Sequence, residues 1–242
     1  MSLGLFSWSH MPYDDEISPQ DNIPSIENMT SAALDFLKHK SSDKGFFLMV
    51  EGGRIDHANH YAMATRALTE TVAMDRAVDE ILAKVDLEET LVIVTADHSH
   101  TLSVGGYPGR GANITGVVKA GSWVSKAEDG QPFSILSYAN GPGFKKLRVK
   151  DNSNSSDWEA ITRAGDLQQG ETATHSFIFP GAVPTKKETH GGDDVGIWAV
   201  GPWAHLFHGV HEQTFVGHVM SLAGCIGPHR DHVTCNSRRR TQ

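Results

Sequence analysis

At 242 residues, with 39% apolar and 21% charged content, the chain is long enough to bury a sizeable core and ordinary enough to be globular. Its formal charge of −8 argues against a general nucleic-acid or anionic-membrane binder, since both call for a basic face. Fourteen histidines are the compositional outlier, and because imidazole is the commonest metal ligand they direct the search to a metal site.

Residues 1–27 hold Leu5, Phe6, Trp8 and Tyr13 followed by a polar, proline-punctuated run, and read as an irregular entry segment. From Met29 to about Lys40, the spacing of Ala32, Ala33, Leu34, Phe36 and Leu37 predicts a helix. Phe46–Val50 (FFLMV) predicts a strand that stops at Glu51, Gly52 and Gly53. Ala67, Thr71, Met74, Val78, Ile81 and Val85 recur at helical spacing and predict a second long helix. The apolar run Leu91–Thr95 predicts another strand, which empties into Ala96, Asp97, His98, Ser99 and His100. Strand, helix, strand is a βαβ unit, so the two strands are expected to run parallel. Glu51 and Asp97 would then share the carboxyl edge, where open α/β sheets bind ligands.

The region from 105 to 188 differs in character. Gly105, Gly106, Gly109 and Gly111 cluster at its start, PFSILSY (132–138) reads as a strand, and KDNSNSSDW (150–158) as a polar loop. It reads as an inserted, loop-rich β region between an α/β portion over 1–104 and the return of that portion over 189–242. In the return, VGIWAV (195–200) is a further buried strand, and a final helix is expected from about His211 to Ala223. No stretch has the length and apolarity of a transmembrane span, and the amino terminus lacks the pattern of a signal peptide. Cys225 and Cys235 read better as a small disulfide loop than as part of a zinc ribbon, with two free thiols as the alternative. A disulfide implies an oxidising compartment, and triplets starting at Asn28, Asn113 and Asn154 are candidate glycosylation acceptors.

Three clusters could carry chemistry. In VEGGRIDHANH, a helix beginning near Asp56 would set Asp56 and His60 one turn apart, where they can bite one ion; His57 lies between them. Glu51 suits a harder ion such as magnesium. The plain alternative is a capping Asp56, a solvated His60 and a Glu51 that ends a strand. Asp97 and His98 can supply two ligands to zinc, with His100 orienting them from behind. His190, between Glu188–Thr189 and two glycines, would alone be a surface histidine. Taken together, two strand edges that each deliver Asp and His suit a two-metal centre of the kind used for displacement at phosphorus.

FFLMVEGGRIDHANH, ALTETVAMDRAVDE, LVIVTADHSH, GGYPGRG, NGPG, ETHGGDDV and GPWAHLFHGVHEQTFVGHVM together resemble the carboxy-terminal half of an animal alkaline phosphatase. The resemblance implies an α/β fold, part of a sandwich with a central, mainly parallel sheet flanked by helices. The inserted region would be crown-like and the amino-terminal part of the fold missing. It implies Asp56, His60 and His190 as ligands of one zinc, Asp97 and His98 of an incomplete second zinc, and Glu51 of an incomplete magnesium site. His57 and His100 would fall in the surrounding shell. It also implies hydrolysis of phosphate monoesters through a phosphoserine, a homodimer, and a secreted or cell-surface glycoprotein with membrane contact only through a lost glycolipid anchor. The family's nucleophilic serine and phosphate-clamping arginine have no counterpart in this sequence, so a fragment of low activity is expected. A non-catalytic metal-binding or dimerising module built on the same fold is the alternative. Lys187 and Ser7, which follows Phe6, stand where relatives carry an acid and a calcium ligand, which weighs against a family-type calcium site.

Overall fold

The structure is a computed structural model that describes residues 4–41, 45–118, 132–146, 161–162, 170–233 and Cys235. Its α-helices are α1 (Ile26–Ser41), α2 (Arg54–His60), α3 (Ala64–Lys84) and α4 (Thr214–Ala223). The strands begin with β1 (Val92–Thr95), β2 (Ser99–His100), β3 (Leu102–Val104), β4 (Val117–Val118), β5 (Phe133–Ser134) and β6 (Leu136–Gly141). They continue with β7 (Lys145–Lys146), β8 (Ile161–Thr162), β9 (Gly181–Pro184), β10 (His190–Gly191) and β11 (Ile197–Val200). The polar loop at 150–158 and the Asn154 triplet lie outside the described residues. Two compact units are present, Met1–Ile81 with His100–Gly192, and Leu82–Ser99 with Asp193–Gln242.

In the first unit, β6 is the central strand of three, antiparallel to β3 and parallel to β9. The register sets Leu102 against Tyr138, and Tyr138 against Gly181. Alternation along β6 sends Leu136 and Tyr138 inward, where they pack with Ala62, Ala64 and Phe179. PFSILSY does form strand, but in two pieces divided at Ile135. That buried residue donates its N–H to the Gly116 carbonyl and accepts from Gly105 N.

The helix expected from the Ala67–Val85 stripe is α3, and the helix expected to begin near Asp56 is a separate short one, α2. Ala62, at φ 55°, turns the chain between α2 and α3, and the carbonyls of His60 and Ala62 accept from Glu188 N and Phe179 N, both at 2.8 Å. The chain breaks where carbonyls at the end of α2 are taken by a distant segment instead of by the next helical turn. On α3 the tightest face is Ala64, Ala67, Glu70, Ala73 and Ala77, offset from the predicted stripe; Thr71 is exposed. Small side chains let neighbouring elements approach this face closely, which a stripe chosen by bulk does not register.

Phe46–Val50 takes no regular ladder, and Phe47 and Met49 are 69% and 74% exposed. The expected parallel pairing with Leu91–Thr95 is replaced, among the described residues, by an antiparallel one within the second unit: β1 with β11, from Val92 opposite Val200 to Thr95 opposite Ile197. A run of buried-strand composition makes a ladder only where neighbours take its backbone groups and cover its faces, and composition alone does not name the neighbour. At the end of β11, Gly201 (φ +99°) passes so close to the Thr90 carbonyl that a Cβ would come within 2.1 Å of it. Beyond α4, a disulfide joins Cys225 and Cys235, with Cα atoms 5.6 Å apart.

Candidate metal centre

Gly52 and Gly53 lead into α2, and an added Cβ on Gly52 would meet Ile55 Cδ1 at 3.1 Å and Met74 Cβ at 3.4 Å. This close approach seats the helix start against α3. Asp56 and His60, four residues apart, come to one face of α2. His60 Nε2 stands 3.3 Å from Asp56 Oδ1.

The third member arrives through backbone pairing. Glu188 N bonds the His60 carbonyl, and His190 follows two residues on, at the start of β10. His190 Nε2 lies 3.2 Å from His60 Nε2 and 3.3 Å from Asp56 Oδ1. Two ligand atoms about 2.0–2.1 Å from a tetrahedral zinc stand about 3.3 Å apart, so the three atoms have the separations of one face of such a coordination shell. His60 Nδ1 donates to the Glu188 carbonyl at 2.6 Å, which fixes the tautomer and leaves the Nε2 lone pair towards the other two. The residues present therefore fit a divalent, nitrogen-preferring ion.

His100 closes the cluster from the side. Its ring centroid is 5.2 Å from that of His60 and 5.3 Å from that of His190, and its Nε2 faces Asp56 Oδ1 at 2.9 Å. Its Nδ1 faces Glu188 Oε2 at 2.6 Å. The Glu188 carboxylate, with no exposed side-chain surface, is the residue that sequence reasoning passed over. Nothing in KETHGG marks this acid as buried.

His57 has Arg54 Nη1 3.2 Å from its Nδ1 and the His10 ring centre 4.2 Å from its own. Burial, then the charges of His10 and Arg54, hold its pKa below the usual histidine value. Glu51 is exposed, its carboxylate folded over Gly53. Asp97 and His98 belong to the second unit. There His98 Nδ1 donates to the Ser99 carbonyl at 3.2 Å, and Nε2 faces Asp97 Oδ2 at 3.4 Å, a separation two ligands of one ion could share. Gln213 Nε2 donates to the Asp97 carbonyl at 3.1 Å. Ser7 Oγ donates to the His10 carbonyl, and Lys187 Nζ stands 5.4 Å from the Tyr61 ring centre.

The chain is 42% identical over 232 residues to the tissue-nonspecific isozyme of alkaline phosphatase from Felis catus, covering 95% of this chain and 40% of that protein. It is 41% identical to the Homo sapiens isozyme over the same shares, and 40% identical to the alkaline phosphatase of Gadus morhua, covering 94% of this chain and 44% of that protein. A solved structure of a TAB5 alkaline phosphatase mutant with Mg bound superimposes with a TM-score of 0.48 at 21% identity, over 90% of this chain and 45% of that one. The chain thus spans about two-fifths of the length of these curated relatives. The alkaline phosphatase family model runs through residues 1–226, and by that match, nearly end to end, the chain belongs to the alkaline phosphatase family.

Proposed function

We propose that this chain is the metal-holding part of a phosphomonoesterase that uses zinc and magnesium, with Asp56, His60 and His190 as ligands of one zinc. The observation that carries the reading is the triangle of 3.2 to 3.3 Å edges among their ligand atoms. Asp97 and His98 contribute two ligands to a second zinc, and Glu51 one to magnesium. A bound zinc polarises a phosphoryl oxygen and lowers the pKa of water towards neutrality. The chain's own residues hold and orient: His60 presents Nε2 because its Nδ1 proton is committed to Glu188, and Asp56 presents Oδ1 beside it.

A phosphoserine route needs a nucleophile and a phosphate clamp, neither of which we assign here, so the chain alone binds metal and turns over little substrate. The family relation and the Cys225–Cys235 disulfide support a secreted or cell-surface setting. Asn113, exposed in a turn, is then the better glycosylation acceptor, since Asn28 lies within α1. The test is zinc binding to the purified chain by metal analysis and chelator competition, alongside an aryl-phosphate assay at alkaline pH. We expect at least about one tightly held zinc per chain, lost in His190→Ala, with hydrolysis at background. Zinc held equally well by His190→Ala would refute the ligand assignment, and chelator-sensitive turnover would refute the low-activity reading.

A further inference from the structure

We infer that Glu188 is a positioning residue of the metal centre: its buried carboxylate, anchored on Thr101, fixes His100, and through His100 the metal-facing oxygen of Asp56. The inference rests on the reading of Asp56, His60 and His190 as ligands.

A carboxylate without solvent is costly unless its oxygens are engaged, and those of Glu188 are. Oε1 accepts from Thr101 N at 2.6 Å and from Thr101 Oγ1 at 2.7 Å, and Oε2 faces His100 Nδ1 at 2.6 Å. These charge-assisted bonds clamp the imidazole in plane and in rotation. The opposite nitrogen, Nε2, then meets Asp56 Oδ1 at 2.9 Å. That same oxygen forms the 3.3 Å edges to His60 and His190. A carboxylate oxygen has a lone pair for each direction, so Oδ1 can accept from His100 and still face a cation. Asp56 is 32% exposed in its side chain and has room to rotate if His100 lets go.

The main chain of Glu188 does a different job. Its N–H donates to the His60 carbonyl at 2.8 Å, and its C=O accepts from His60 Nδ1 at 2.6 Å. One residue thereby holds His60 by backbone and His100 by side chain. Substituting the side chain releases the second hold and spares the first.

The test uses the purified 242-residue chain with cobalt(II) as a spectroscopic probe, in wild type, Glu188→Gln and Thr101→Val. Glu188→Gln is expected to weaken cobalt binding by about 10- to 100-fold, the usual cost of losing a partner behind a ligand, and to alter the visible cobalt spectrum. Thr101→Val keeps the backbone donor and is expected to lose less, in the same direction. In the metal-free wild type, nitrogen-15 histidine spectra should show a low-field proton on His100 Nδ1. Glu188→Gln should abolish it while the His60 Nδ1 proton persists. If Glu188→Gln does not fold, the wild-type proton and the Thr101→Val isotherm decide. Cobalt affinity within twofold of wild type in the variants, or no such proton on His100, overturns the positioning role alone. Absence of cobalt binding by the wild type overturns the metal reading and the role with it.

Discussion

Glu70 is a carboxylate set on the alanine face of α3, 9% exposed, accepting from Asp14 N at 2.6 Å. Burial raises its pKa above the ordinary carboxylate value, aided by the charges of Asp14 and Asp15 and opposed by the Asp14 N–H bond and Arg54. An acid whose folded pKa is raised binds more protons folded than unfolded. Its contribution to stability is therefore full below the unfolded value, about 4.3, and is lost as pH rises through the folded value. Denaturant melts of Glu70→Gln against wild type should show that slope flattened, because the amide keeps an acceptor for Asp14 N without the charge. Glu70→Ala strands that N–H and should cost about 1–3 kcal/mol at neutral pH. By contrast Arg76, 43% exposed and paired with Asp14 at 2.9 Å and Glu27 at 3.3 Å, sits where ion pairs contribute little. Arg76→Ala should cost no more than about 1 kcal/mol in the same melts. Tyr13 lies between two guanidinium groups, Arg54 Cζ 3.7 Å and Arg66 Cζ 4.3 Å from its ring centre. Burial raises its pKa against the pull of both arginines.

Among the elements, backbone approach sets the strictest demands. An added Cβ on Gly143 would lie 1.7 Å from the Phe179 carbonyl oxygen, beside the core strand β6. Gly143→Ala must push this backbone apart, and circular dichroism melts should show destabilisation well beyond the roughly 0.5–3 kcal/mol of an ordinary substitution. Much of this level was legible in sequence. α1, β1, β11 and α4 fall within a few residues of where periodicity sets them, and the i, i+4 spacing brings Asp56 and His60 to one face. What periodicity could not supply was the pairing of distant segments. The Glu188–His60 backbone bond that delivers His190, and the antiparallel partner of β1, depend on contacts about a hundred residues apart or more. Glu188 itself was hidden because a buried acid looks, in sequence, like any exposed one.

For the whole molecule, the ligand triangle lies entirely within the first unit, while Asp97, His98 and the disulfide lie in the second. Reducing the Cys225–Cys235 bond, which closes a loop of sequence separation 10, should lower the stability of the second unit by about 2–3 kcal/mol. Zinc affinity at Asp56, His60 and His190 should survive that reduction, as chelator competition with and without reductant would register. The central claim is that those three side chains share one metal ion, and anomalous diffraction from crystals of the zinc-loaded chain tests it most directly. The account predicts a zinc peak about 2.0–2.2 Å from Asp56 Oδ1, His60 Nε2 and His190 Nε2 together. Tightly bound zinc located elsewhere, with those three atoms left in contact only with one another, would contradict it.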